Sequence, residues 1–124
     1  MPIRVMVVDD TEHVREMLAT MLELDGFDVV AKAASGPEAI AKLEGSAPNI
    51  VVMDYKMPEM DGLTATRRLR ELAPSVPVII YTAYIDDAIE SAARDAGAAL
   101  VLGKVEGLEH LERSISEMCI ELMN

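Results

Sequence analysis

The chain has 124 residues, 51% of them hydrophobic and 27% charged, the size and mix of one soluble globular domain with a real core. A net charge of -11, from 11 basic and 22 acidic residues, opposes approach to phosphate backbones and anionic membranes, and one Phe, three Tyr and no Trp leave no aromatic platform for nucleic acid. With no charged leader and no apolar run of transmembrane length, the expectations are one domain over residues 1–124, a cytoplasmic location, and no membrane or direct nucleic-acid partner.

Ile3 to Val8 is an apolar run broken only by Arg4 and closed by Asp9-Asp10, the pattern of a strand buried on both faces. Val14, Met17, Leu18, Met21 and Leu22 recur at helical spacing, with Thr11 or Asp10 as cap and Gly26 as stop. Phe27 to Ala33 reads as a second strand, followed by Ser35 as cap, Pro37 in the first turn, and Ala39, Ile40 and Leu43 on the inner face of a helix ending near Gly45. Ile50 to Met53 is a third strand that delivers Asp54 to a loop punctuated by Pro58 and Gly62. Leu63 to Leu72 then reads as a helix with Arg67, Arg68 and Arg70 on a solvated face.

Pro74 and Pro77 bracket a turn before Val78 to Tyr81, a fourth strand leading to Thr82. Ile85, Ala88, Ile89, Ala92, Ala93 and Ala96 trace one helical face opposite Asp86, Asp87, Glu90 and Arg94. Leu100 to Leu102 is a fifth strand running through Gly103 to Lys104, and Leu108, Leu111, Ile115, Met118 and Leu122 mark a closing helix. Its residues Cys119, Ile120 and Met123 form a second apolar patch, read as a partner surface or a fraying end. Cys119 is the only cysteine, which excludes an internal disulfide and suits a packed thiol.

Five strands alternating with five helices predict an α/β fold, a doubly wound five-stranded parallel sheet of flavodoxin-like order 2-1-3-4-5 with helices on both faces. Ligands in such sheets bind beyond the carboxyl ends of the strands where the winding reverses, here between strands 1 and 3. Asp9, Asp10 and Asp54 occupy those two tips. Three adjacent carboxylates repel one another unless a cation sits among them, and magnesium suits an open rim because it takes oxygen ligands and keeps several waters. Asp10 and Asp54 are assigned to that ion directly, Asp9 directly or through water, and the carbonyl of Lys56 as a further oxygen.

A phosphate donor at such a rim would meet an Asp54 oxygen able to displace its leaving group in line. Lys104 can pair with the phosphoryl oxygens, and the Thr82 hydroxyl can donate to another of them, drawing the following loop toward the site. Taken singly, each residue has a plainer reading. Asp9 and Asp10 would suit a helix N-terminus, worth roughly 0.3 to 1 kcal/mol each; Asp54 would be a turn residue, Lys104 a surface charge and Thr82 a strand end. Convergence of all of them favours the site. His13 and His110 stand isolated in helices and read as solvated.

Val7-Val8-Asp9-Asp10, Met53 to Gly62, Tyr81-Thr82-Ala83 and Lys104 together resemble the receiver domain of two-component response regulators, over essentially the whole chain and similar to the single-domain chemotaxis-type regulators. The resemblance implies magnesium-dependent phosphoryl transfer from a histidine of a sensor kinase, or from a phosphotransfer protein, onto Asp54. It also implies output through the surface of the fourth helix, fifth strand and fifth helix, toward a downstream protein target or a missing effector domain. The chain departs from the family at Val101, where an aromatic side chain usually reports the hydroxyl, and at Val105, where proline usually follows the lysine through a cis bond. A cis bond to a non-proline residue costs about 3 kcal/mol, so a trans Lys104-Val105 bond and a rearranged loop are expected. Lys56 and Tyr84 match positions that flank the path of the hydrolytic water, and both are bulky enough to shield an acyl phosphate, although both also suit a solvated rim.

The leading reading is a binding switch that catalyses its own modification rather than turning over a substrate, either a complete regulator or an excised domain, its oligomeric state undetermined. A magnesium-dependent phosphohydrolase using Asp54 would need a specificity cap that these short loops lack. A pseudo-receiver, acting as an interaction module without phosphorylation, is the alternative that Val101 and Val105 encourage.

Overall fold

The computed structural model describes residues 2–123, with side chains described as far as Ile120. In chain order the elements are β1 (Arg4–Val8), α1 (Glu12–Leu24), β2 (Asp28–Ala33), α2 (Gly36–Ser46), β3 (Ile50–Met53), α3 (Gly62–Leu72), β4 (Val78–Thr82), α4 (Asp87–Asp95), β5 (Leu100–Gly103), a 3-10 turn (Lys104–Glu106) and α5 (Leu108–Met123). All strand pairs are parallel and the order is β2-β1-β3-β4-β5, the doubly wound arrangement expected.

Register decides what reaches the rim. Val8 lies opposite Met53, so Asp9 and Asp54 are the next residues out on neighbouring strands. Thr82 lies opposite Gly103, so Lys104 follows directly beyond the last pair. Two further backbone bonds carry the ladder past the strand ends, Asp54 N–H to the Val8 carbonyl at 2.9 Å and Asp9 N–H to that of Ala33 at 3.1 Å. The tips are therefore held as firmly as the strands.

Each face of the sheet buries its own aliphatic cluster. Met6, Val8, Val51, Met53 and Ile80 pack with Leu43 of α2, Leu69 of α3 and Ala93 and Ala96 of α4. Val5, Val7, Val52, Ile79 and Tyr81 pack on the other face with Leu18 and Leu22 of α1 and Leu111, Ile115 and Cys119 of α5. The alternation follows from the strand pleat, and the small residues of α4 let it approach closely. Cys119, only 1% exposed, lies in the inner stripe of α5 and not in a second patch, because it follows Ile115 by one turn; Ile120 beside it is exposed. The side chains of Leu122 and Met123 lie outside the described residues.

Side-chain caps start three of the helices, of which the sequence marked Ser35. Ser35, Asp61 and Asp86 each accept a bond from the backbone N–H three residues on. Thr11 holds the N-cap position of α1 but makes no side-chain cap bond; its own N–H is taken by Asp9 Oδ1 at 2.9 Å. Ile85 precedes α4 and is exposed, because the Asp86 cap starts the helix at Asp87; of the expected apolar face Ala88 is exposed, Ile89 and Ala92 are half-buried, and Ala93 and Ala96 are buried.

On α1, Met17 and Met21 are exposed at 61% and 42%, since the helix sets Leu18, Ala19 and Leu22 against the sheet and leaves both methionines to one side. Arg70 is not merely solvated: its guanidinium donates to the Val76 carbonyl at 2.8 Å, tying α3 to the turn before β4, while Arg67 and Arg68 are exposed. The Lys104–Val105 bond is trans, there being no cis bond among the described residues, and the loop closes into the 3-10 turn with Val105 88% exposed.

Ala47 ends α2 in the left-handed region, at φ 44°, with its N–H bonded to the Leu43 carbonyl at 3.1 Å. Alanine is strained there and glycine is not. Ala47→Gly is expected to stabilise the fold by about 1 kcal/mol, read as a higher urea midpoint with unchanged slope.

Candidate functional site

The β1 and β3 tips bring Asp9, Asp10 and Asp54 together, one oxygen of each lying within 4.8 Å of the others. Asp9 is buried at 3% exposure, Asp54 is partly buried, and Asp10 is exposed. This gradient leaves an opening on the Asp10 side. Lys104 reaches over from the end of β5, with its ammonium 3.0 Å from Asp9 Oδ2 and 3.9 Å from Asp54 Oδ1. Asp9 also accepts the Thr11 N–H, and Asp54 Oδ1 accepts the Tyr55 N–H at 2.9 Å. One oxygen of each carboxylate is thus fixed by backbone.

Burial pushes the Asp54 carboxyl up to about 6 from its ordinary 3.8. The charge of Lys104 pulls it down, Asp9 pushes it up, the Tyr55 N–H pulls it down, and Asp10 pushes it up. Burial outweighs the one cation within reach. The arrangement is an acidic cluster that can hold a metal ion, and its hard oxygen donors on an open rim fit a small divalent cation.

Thr82, 1% exposed at the β4 tip, accepts the Tyr84 N–H on its hydroxyl oxygen at 3.1 Å. Its hydrogen bonding runs to the β4–α4 loop; no bond to the carboxylates is found among the described residues. The Lys56 ammonium lies 4.4 Å from the centroid of the Tyr84 ring. These two residues, matched in the sequence to positions that flank the path of the hydrolytic water, form a cation–π pair that joins the β3–α3 loop to the β4–α4 loop.

Three residues matter more than their sequence context suggested. Gly62 donates its N–H to the Tyr55 carbonyl at 2.7 Å, and any Cβ there would collide with the Asp54 carbonyl oxygen. Its place after Asp61 marks a turn, but the close approach needs coordinates. Arg15, on the first turn of α1, donates to the Asp9 carbonyl at 2.9 Å. Tyr81 lies under Lys104 on the other side of β4 from Thr82, its phenol pushed up by burial and partly pulled back by the lysine.

The family model of the response regulator receiver domain matches residues 5–116, and the chain belongs to that family. Among curated relatives it is 40% identical over 114 residues to the response regulator GacA of Pseudomonas protegens, covering 91% of this chain and 54% of GacA. It is 36% identical over 97 residues to the chemotaxis protein CheY of Bacillus subtilis, covering 74% of this chain and 81% of CheY. The chain spans about half the length of GacA. Among solved structures it is similar to a chain of the CheX-CheY-BeF3-Mg2+ complex from Borrelia burgdorferi, with TM-score 0.85, 28% identity, and coverage of 95% of this chain and 90% of that one.

A carboxyl held near 6 binds its proton more tightly when folded than when unfolded, so its stabilising contribution is present below about pH 4 and is lost as pH rises through 6. In metal-free buffer, Asp54→Asn is expected to raise stability at pH 7 by about 1 to 3 kcal/mol. The gain should shrink toward zero at pH 4, measured by urea unfolding across that range. Equal gains at both pH values would contradict the origin assigned to the shift.

Proposed function

We propose that this chain is a phosphorylation-driven switch in which Asp54 accepts a phosphoryl group from a phosphohistidine of a sensor kinase or phosphotransfer protein. The observation that carries the reading is the convergence of Asp9, Asp10, Asp54 and Lys104 on one rim. A free Asp54 oxygen forms the new O–P bond as the P–N bond breaks, and the electron pair of that bond leaves with the imidazole. Lys104 moves from the carboxylates toward the phosphoryl oxygens. Thr82 turns its hydroxyl hydrogen to another of them.

Magnesium held by Asp10, Asp54, Asp9 and the Lys56 carbonyl would supply charge neutralisation for the transferring group. The three clustered carboxylates support this assignment, as does the magnesium and beryllofluoride complex of the Borrelia CheY. The dephosphorylated donor departs and the phosphoryl group stays on the chain itself, so the chain acts as a switch rather than a turnover enzyme. Because the Thr82 oxygen accepts the Tyr84 N–H, movement of that oxygen toward the phosphoryl group draws the loop before α4 with it. That motion changes the surface of α4, β5 and α5, where a protein target or an attached effector domain reads it.

The donor's position is supported by a groove between α1 and α5. Val14, Met17, Met21 and Leu108 line it beside Lys104, and its exposed methionines suit an apolar helix. A net charge of -11 speaks against direct nucleic-acid contact. No described helix is long and apolar enough to cross a membrane, which accords with a cytoplasmic site of action.

Incubation with magnesium and acetyl phosphate is expected to add one phosphoryl mass to the intact protein and none to Asp54→Ala. No adduct with any donor, together with no magnesium binding, would favour the interaction module instead, and steady release of phosphate from an ester would favour a hydrolase. Lys56 and Tyr84 span the two loops at the mouth and shield the acyl phosphate from water. Lys56→Ala and Tyr84→Ala are each expected to speed loss of the adduct about two- to tenfold. Unchanged decay of the purified phosphoprotein in both variants would remove the shield.

A further inference from the structure

Lys104 answers to two kinds of attractor. Its ammonium pairs with Asp9 at 3.0 Å and Asp54 at 3.9 Å, and it also stands 5.9 Å from the centroid of the Tyr81 ring. Tyr81 precedes Thr82 on β4, but the pleat turns it to the α1 and α5 face, where it packs with Leu18, Leu102 and Ile115 at 8% exposure. β4 and β5 are paired there residue by residue, Tyr81 opposite Leu102 and Thr82 opposite Gly103. A buried ring is therefore fixed beneath the ammonium of a flexible lysine.

That lysine needs fixing. Its side chain is 26% exposed, its stem has four rotatable bonds, and it walls a cavity of about 180 Å3 together with Tyr81, Val14, Met17 and Leu108. Without a partner on the apolar side, the ammonium is free to swing into that cavity or into water whenever Asp9 and Asp54 are neutralised by another cation. The ring face attracts a cation and is not displaced by a metal. It is the one attractor that stays constant while the carboxylates change partners.

We propose that Tyr81 is a positioning residue for Lys104, its ring holding the ammonium at the rim while the phosphoryl group is taken up. The role in uptake rests on the function proposed above; the contact itself does not.

Two kinds of measurement test it on the intact chain. By NMR, the Lys104 Hε protons should resonate upfield of their position in Tyr81→Leu and Tyr81→Met, and Tyr81→Phe should keep the upfield position. Phosphoryl uptake from acetyl phosphate at saturating magnesium should slow about fivefold in Tyr81→Leu and Tyr81→Met and stay within about twofold of wild type in Tyr81→Phe. In a Lys104→Met background the same changes at Tyr81 should have no further effect, because the ring acts only through the lysine. Equal slowing in both backgrounds, or Lys104 resonances indifferent to loss of the ring, would overturn the proposal. An intact ring shift in a wild type that takes no phosphoryl group would overturn the proposed function and leave the Tyr81–Lys104 contact standing.

Discussion

The ion pair between Lys104 and Asp9 is what lets three carboxylates share one rim. Like charges within 4.8 Å repel by roughly 3 to 4 kcal/mol per pair at an effective dielectric of about 20, more than an exposed salt bridge returns. Parallel pairing forces the crowding, because the register that buries Val8 against Met53 also sets Asp9 beside Asp54. Lys104 relieves part of it, yet Asp54 is still held near 6, so the cluster keeps an appetite for positive charge. A site built this way is poised for an incoming cation.

The same crowding explains the division of labour around the rim. Asp9 is buried and bonded to the Thr11 N–H and to Lys104. Asp10 is exposed and opens the cluster to solvent. Asp54 stands between, anchored at one oxygen by the Tyr55 N–H. Gly62 fixes the backbone behind it by packing where no side chain fits. Thr82 links the rim to the loop before α4, and Lys56 with Tyr84 closes the gap between the two loops.

Much of this was legible in the chain. Strand tips could be placed because apolar runs such as Ile50 to Met53 end abruptly in acids, and the alternation of elements left one reasonable sheet order. What could not be read depended on where long side chains go. Met17 and Met21 fit a helical stripe in the sequence, but the stripe is wider than the strip of α1 that the sheet covers. Arg70 looked like its neighbours Arg67 and Arg68 until the Val76 carbonyl came within reach. Cys119 looked like part of a terminal patch because periodicity near a chain end counts few turns. Tyr81 read as one more strand residue, since nothing in a linear sequence says that a lysine 23 positions later lies against its ring.

The ion pair also joins residues 95 positions apart, nearly the whole chain. A chain emerging from synthesis has Asp9, Asp10 and Asp54 long before it has Lys104, and the contact cannot form until β5 has been added to the edge of the sheet. The rim is therefore incomplete until β5 is in place. A partly made or locally opened molecule carries the acids without their lysine, so an intact Lys104–Asp9 pair is a mark that β5 has joined the sheet.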